Sequence, residues 1–391
     1  MSTSAKRVIR NAGPDWDDIR SQFPTTENFT YLDTARKALL PRSVESAIGN
    51  WLQDIYQHAG EKAFSMDATE KTRETVARVF GAPARNVALI KNTSEGMNII
   101  AQGYEGLREG DNVLISLAEH ENNTFPWRHL DRRGVEVRFA KPDHAGRLTV
   151  DDYRKLADKR TRLISSAWVS YATGYRADIP KLGQYCREIG AKLVVDGVQG
   201  IGVLSNRIDQ LGADAVVAGG HKAQFSLAGA GFMYMTDEMT GATVPPYAAK
   251  FSFTSNDRLQ DNPVLAPDAH RFEYGNPNFI GCWVQRSSAE FIESIGLGHI
   301  EDRVRELTTA ALEGAKKRHV AVRTPQPWEE RAGIIGFDSK GDVEAAAKAL
   351  KDKRRIIVSV KDGHLRASIH FYNTHEEVEM LLDAISEIMP A

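Results

Sequence analysis

The chain has 391 residues, 42% of them apolar and 26% charged, with a formal net charge of −2. That length allows one large domain and a smaller one, and the near-neutral balance excludes the basic excess that a nucleic-acid groove or an anionic membrane surface needs. Two cysteines without a CxxC spacing, Cys186 and Cys282, exclude a disulfide framework and a thiolate metal site.

In chain order, the run 1–10 lacks the apolar core of a secretion signal, and no apolar stretch reaches the length of a membrane span. A cytoplasmic home is expected. From residue 87 to residue 235 short apolar segments alternate with helical patterns. Strands are predicted at 87–90, 112–117, 135–140, 162–169, 191–196, 214–218 and 231–235. Helices are predicted at 94–104, 123–133, 150–159, 179–189 and 207–211. Such alternation predicts an α/β layer, a seven-stranded and mainly parallel sheet covered on both faces, with its ligand at the carboxyl ends of the strands. Farther on, a helical pattern at 300–318 precedes strand-like segments at 320–323, 333–338, 355–360 and 365–371, with helices at 342–351 and 375–389. Lys361-Asp-Gly363 marks a tight hairpin in this α+β part. The expected division is an amino-terminal segment 1–28 packing on the small domain, a large domain 29–285 and a small domain 286–391.

The residues that carry chemistry stand just past these strands. Thr93 and Ser94, at an expected helix cap with Gly96 in the first turn, offer hydroxyls and backbone amides to a phosphate; an ordinary cap is the plainer alternative. His120 follows the second strand, where an imidazole can stack on a heteroaromatic ring or handle protons, although a solvated histidine is commoner. Asp196 ends a buried strand, where a carboxylate must either cap the next helix or pair with a cationic ring N–H. Lys222 follows the apolar strand 214–218 through Gly219-Gly-His221 and precedes the glycine-punctuated run 228–235. Most lysines are surface residues, but this neighbourhood suits an amine that must lose its charge to form an imine or take a proton. With Gln199 one turn beyond Asp196, the set fits a pyridoxal phosphate aldehyde. The lysine forms the imine, the carboxylate keeps the pyridinium protonated, and the amide lies near the phenolic oxygen. Arg366, inside the predicted strand 365–371, is either a fork for a carboxylate or an edge-strand arginine turned to water.

Six motifs in order, in a likeness that begins at Tyr31-Leu-Asp-Thr-Ala35, resemble the class V aminotransferase branch of fold-type I pyridoxal phosphate enzymes, which includes cysteine desulfurases, isopenicillin N epimerase and kynureninase. They are Asn92-Thr-Ser-Glu-Gly96, Glu119-His120, Val195-Asp-Gly-Val-Gln199, Gly220-His-Lys222, Phe272-Glu-Tyr-Gly-Asn-Pro-Asn278 and Arg366-Ala-Ser-Ile-His-Phe-Tyr-Asn373. The resemblance implies that Lys222 holds the cofactor as a Schiff base, Asp196 pairs with the ring nitrogen and His120 stacks on the ring. It further implies that Gln199 meets the phenolic oxygen, that Thr93, Ser94 and His221 bind phosphate, and that Arg366 holds the substrate α-carboxylate. Asn276 would reach the phosphate of a neighbouring subunit, making the active unit a homodimer.

The chain departs from that pattern in three places. The stretch 355–366 has no cysteine where desulfurases carry their nucleophile, so a persulfide route is not expected. Gly219 stands where serine is frequent and Asn276 where threonine is, so the phosphate cup is built differently. Tyr171 replaces a frequent asparagine beside the cofactor and offers a phenol near the substrate. An aminotransferase-like activity on an amino acid is expected, with a β-lyase or an epimerase as alternatives. A nicotinamide site is not, because Gly197-Val-Gln-Gly200-Ile-Gly202 has the wrong spacing and follows a late strand. Arg36 and His370 are expected at the side-chain pocket, where they would suit an acidic or polar substrate.

Overall fold

The computed structural model describes residues 13–338 and 341–388. After a two-residue strand, β1 (Thr30–Tyr31), seven strands build one sheet: β2 (Val87–Ile90), β3 (Asn112–Ser116), β4 (Glu136–Ala140), β5 (Thr161–Ala167), β6 (Lys192–Asp196), β7 (Ala215–Gly219) and β8 (Gly231–Met235). Their order is β2-β8-β7-β6-β5-β3-β4. Every pair from β4 across to β7 is parallel, and only β8 runs against its neighbours β2 and β7. The mainly parallel seven-stranded sheet read from the sequence is therefore the one that forms.

Strand alternation explains the two cores. Val87, Leu114, Ile164, Val195 and Val216 face one layer, while their neighbours Ala88, Val113, Leu163, Val194 and Val217 face the other. Because both faces are apolar, the central strands read as continuous hydrophobic runs. The crossover helices Thr93–Gly103 and Ile179–Ile189 return the chain so that successive parallel strands end on one edge.

The carboxyl-terminal part holds β9 (Ile334–Phe337), β10 (Ile356–Ile357), β11 (Ser359–Lys361) and β12 (His364–Ser368). β12 lies between β11 and β9, antiparallel to both, and β10 pairs in parallel with β1. Asp362 (φ 46°) and Gly363 (φ 77°) close the β11–β12 hairpin in the left-handed region that a two-residue turn requires. The amino-terminal chain is pinned to this part: Arg20 bonds Glu377 and the Tyr372 carbonyl.

Several elements differ from expectation. The predicted strand 355–360 divides at Val358 between two sheets. Segment 320–323 makes one bridge, Val322 to Phe337, rather than a strand. The predicted helix 207–211 is a single 3-10 turn, Ile208–Gln210, stopped by left-handed Gly212. The predicted helix 150–159 ends at Arg154, because Asp158 turns to bond Asn112 and the Arg160 amide. Three long helices, Arg42–His58, Met66–Phe80 and Phe279–Ile295, lay outside the sequence reading, and the last runs through the expected boundary at 285/286. Residues 1–12 and Met389 lie outside the described residues. Among the described residues no helix is long and apolar enough to cross a membrane.

Candidate active site

The carboxyl edge of the sheet gathers most of the residues singled out above. Lys222 lies in the turn that leaves β7, and among the described residues its Nζ has no hydrogen-bond partner. Burial, aided by Arg366 and Lys361 and opposed by Asp196, lowers its pKa to about 8. Asp196, the last residue of β6, is 4% exposed and accepts a single hydrogen bond, from the Val198 amide at 3.0 Å. Burial pushes this carboxyl upward against that amide and Lys222. A dry carboxylate with one donor is a place where a cationic ring N–H restores the missing interaction.

His120 caps the helix Glu121–Arg128 by accepting from the Asn122 amide at 3.2 Å through Nδ1, which assigns the proton to Nε2. Burial and Lys222 lower its pKa despite Glu121, so the ring is neutral and its 3.4 Å approach to Glu121 is no ion pair. Its edge meets the Tyr171 ring at 5.1 Å and 87°.

Thr93 opens the helix after β2, but the cap is Asn92, which accepts from the Glu95 amide at 2.9 Å. The expected Thr93-Ser94 cap is thus displaced by one residue, which frees Thr93 Oγ1 to accept from the Gly219 amide at 3.1 Å. Gly96 brings this helix start onto β7: a Cβ there would lie 2.4 Å from Val217 Cγ1. Ser94 sits beside Thr93 in the same first turn. A Cβ at Gly219 would come within 3.3 Å of His221 Nδ1 and 3.5 Å of Thr93 Oγ1, so glycine, Thr93 and His221 crowd one spot beside a helix N-terminus.

The opposite wall comes from the amino-terminal chain and the small sheet. Arg366 is 1% exposed; its Nη2 donates to Asp33 at 2.9 Å and to Ser359 Oγ at 3.2 Å, and its Nη1 to the Tyr171 carbonyl at 2.9 Å. Among the described residues its Nε has no partner. The Tyr171 phenol donates toward both Asp362 oxygens at 3.1 Å, and burial with Asp362 raises its pKa. Gln199 donates to the Ala35 carbonyl at 2.9 Å.

Among the described residues, the side chains of three expected site residues make no hydrogen bond to this cluster. Arg36 is exposed at the edge of the cleft and its side chain has no partner among the described residues. Asn276 is exposed in the loop 274–278, which borders Glu95 and the segment 229–231. His370 is closed off rather than facing a side-chain pocket. It is 1% exposed, its ring edge packs on Phe225 at 4.9 Å, and burial drives its pKa down to about 3. Rings of Phe225, Phe371 and Tyr372 wrap it, so the chain turns it into the core as it leaves β12.

Sequence reasoning missed two carboxylates. Asp33 is buried against Arg366, and only long-range pairing reveals it. Glu119 accepts from the Ala167 amide at 2.8 Å and from Asn123 at 2.9 Å, and burial lifts it to about 7. Its position directly before His120 was the one available signal. Both cysteines are buried and free, their thiols pushed up to about 12 by burial, so neither is a nucleophile.

A half-buried amine without a partner among the described residues, a carboxylate short of a donor and a glycine-bounded helix start fit pyridoxal phosphate. Residues 30–381 match the family model for aminotransferase class V. A probable cysteine desulfurase of Pyrococcus abyssi is 29% identical, the alignment covering 95% of this chain and 97% of that protein. The apo structure of cysteine desulfurase from Thermococcus onnurineus superposes with a TM-score of 0.86 at 28% identity, over 95% of this chain and 98% of that one. A cystine C–S lyase in complex with its product cysteine persulfide shares the fold, with a TM-score of 0.86 at 20% identity over 94% of this chain and all of that one. The chain belongs to the class V aminotransferase family, has the fold of type I pyridoxal phosphate enzymes, and is an enzyme that uses that cofactor on amino acids.

Proposed function

Starting from that membership, we propose that Lys222 is the cofactor-bearing lysine and the base at the substrate Cα, and that the enzyme transaminates an α-amino acid. The carrying observation is the unpartnered Lys222 Nζ, depressed to about 8, across from a buried Asp196. Bound pyridoxal phosphate supplies an electron sink that makes the Cα proton removable. Asp196 holds a ring N–H in its dry strand end, and neutral His120 stacks on the ring. Thr93, Ser94 and His221 hold the phosphate, Gln199 the phenolic oxygen beside Tyr171, and Arg366 the α-carboxylate through its unpartnered Nε. Lys222 Nζ would take the Cα proton, the transfer on which transamination depends.

The relatives named above are cysteine desulfurases, but the hairpin 361–364 contains no cysteine and both thiols of the chain are buried. We therefore infer that sulfur does not leave through an enzyme persulfide. β-Elimination is the second reading, supported by the same kinship and needing no thiol. Asn276, exposed in its loop, supports a homodimer in which it serves the partner's phosphate site. Two free buried thiols are consistent with the cytoplasm.

The test is a single turnover of the cofactor-loaded enzyme with a panel of amino acids and no keto acid. Formation of pyridoxamine phosphate and one equivalent of keto acid is expected. Ammonia release with an unchanged cofactor rejects transamination for elimination.

A further inference from the structure

Resting on the reading of this site as an amino-acid site, we infer that the substrate carries a second acidic group, which Arg36 and Lys361 hold beside Arg366. The small sheet supplies the first argument. β11 and β12 pair with Ser359 opposite Arg366 and Lys361 opposite His364. Side chains two apart on a strand share a face, so all four stand on one side of the sheet. That side meets the cleft wall: Arg366 bonds Asp33 and the Tyr171 carbonyl there, and His364 Nε2 lies 2.9 Å from the Ala172 carbonyl. Diagonal neighbours across such a pair lie roughly 7–8 Å apart, which long side chains span, so Lys361 emerges next to Arg366.

The amino-terminal strap supplies the second. Asp33 binds Arg366, the Ala35 amide donates to Ser368 Oγ at 2.9 Å, the Ala35 carbonyl accepts from Gln199, and the Ala38 amide donates to the His221 carbonyl at 2.9 Å. Residues on both sides of Arg36 are thus fixed to the site, and Arg36 projects from the middle of that strap.

Charge supplies the third. The Arg366 guanidinium is already balanced by Asp33, whereas Arg36 and Lys361 form no ion pair among the described residues. Acidic groups of this cleft are engaged elsewhere: Asp33 binds Arg366, Asp362 accepts from Tyr171, and Glu121 lies at His120. Lys361 depresses Lys222 and Arg36 depresses Arg366, as like charges converging on one cleft do. A substrate with only an α-carboxylate leaves two cations without a counter-ion. Aspartate, glutamate or a sulfinic amino acid supplies one.

The experiment titrates the visible band of the cofactor-loaded enzyme with L-aspartate, L-glutamate, L-alanine and L-serine. The acidic pair is expected to half-saturate at concentrations at least about tenfold lower. Arg36→Ala and Lys361→Ala each shrink that ratio by about fivefold or more, and Lys37→Ala, removing an exposed charge of the same strap, leaves it in place. On the cofactor-free chain, succinate is expected to raise the melting temperature more than butyrate does. Equal half-saturation by aspartate and alanine, or a ratio untouched in both variants, overturns the inference while the amino-acid reading stands. A band that no amino acid moves overturns both.

Discussion

The two walls of the cleft are built in opposite ways. At the strand ends of the large sheet the polar groups are left short of partners among the described residues: Lys222 Nζ has none, Asp196 has one amide, and His120 is neutral. Across the cleft, Arg366, Asp33, Ser359, Tyr171 and Asp362 already satisfy one another in a continuous chain of hydrogen bonds. Burying unsatisfied groups costs stability, so the first wall is poised to be completed by something it lacks. The second holds its own shape and, among the described residues, leaves only the buried Nε of the Arg366 guanidinium without a partner. The lesson is that incompleteness marks the cofactor half and saturation marks the substrate half.

The strongest blow to that contrast falls on Lys222. Lys222→Ala should lower turnover by about 10³-fold or more while leaving the fold intact, since no hydrogen bond is lost. Borohydride treatment of the loaded wild type followed by mass spectrometry should tag the peptide holding Lys222 and find no tag in the variant. A tag elsewhere would break the assignment. The saturated wall predicts the reverse pattern for Asp33→Asn, a strain on the fold as well as on chemistry. Removing one partner of a pair with both side chains 1% exposed leaves a buried charge, at a cost of about 3–5 kcal/mol. Urea unfolding measures it; a loss below about 1 kcal/mol would show that the wall does not depend on this pair.

The strand-end wall was legible because its logic is local. An apolar run ends, a glycine or polar residue follows, and the ligand edge of a parallel sheet is there; Thr93, His120, Asp196 and Lys222 all announce themselves so. The seven strands followed from the same pattern, whereas the helices Arg42–His58, Met66–Phe80 and Phe279–Ile295 did not, because no strand alternation brackets them. The saturated wall joins residues far apart in the chain. Asp33 meets Arg366 across 333 positions and Tyr171 meets Asp362 across 191, and nothing near Asp33 foretells its partner. His370 was misplaced for the same reason: its surroundings are set by Phe225, which belongs to the Lys222 turn.

Acidity joins the two walls, and this gives a smaller effect. Only the neutral Lys222 amine attacks an aldehyde, so cofactor incorporation by the empty chain should rise with pH up to about 8 and level off above it, changing about tenfold per unit on the ascending limb. Asp196 holds that value up, so Asp196→Asn should move the limb to lower pH; stopped-flow absorbance between pH 6 and about 9 reads both. A limb that stays put would separate Lys222 from its carboxylate partner.

The smallest effect belongs to a joint within the saturated wall. Tyr171 belongs to the loop after β5 and Asp362 to the hairpin of the small sheet, so their hydrogen bond ties the saturated wall's small sheet to the large one. Asp362 is exposed, which screens the interaction, and Tyr171→Phe should cost no more than about 1 kcal/mol in unfolding. Its ring contact with His120 and the carbonyl that receives Arg366 are both retained by phenylalanine. Turnover number should therefore hold within about twofold while KM rises, because the wall is less well ordered when substrate arrives. A fall in turnover as large as about 100-fold would mean instead that the phenol itself moves a proton, and the saturated wall would then take part in chemistry rather than frame it.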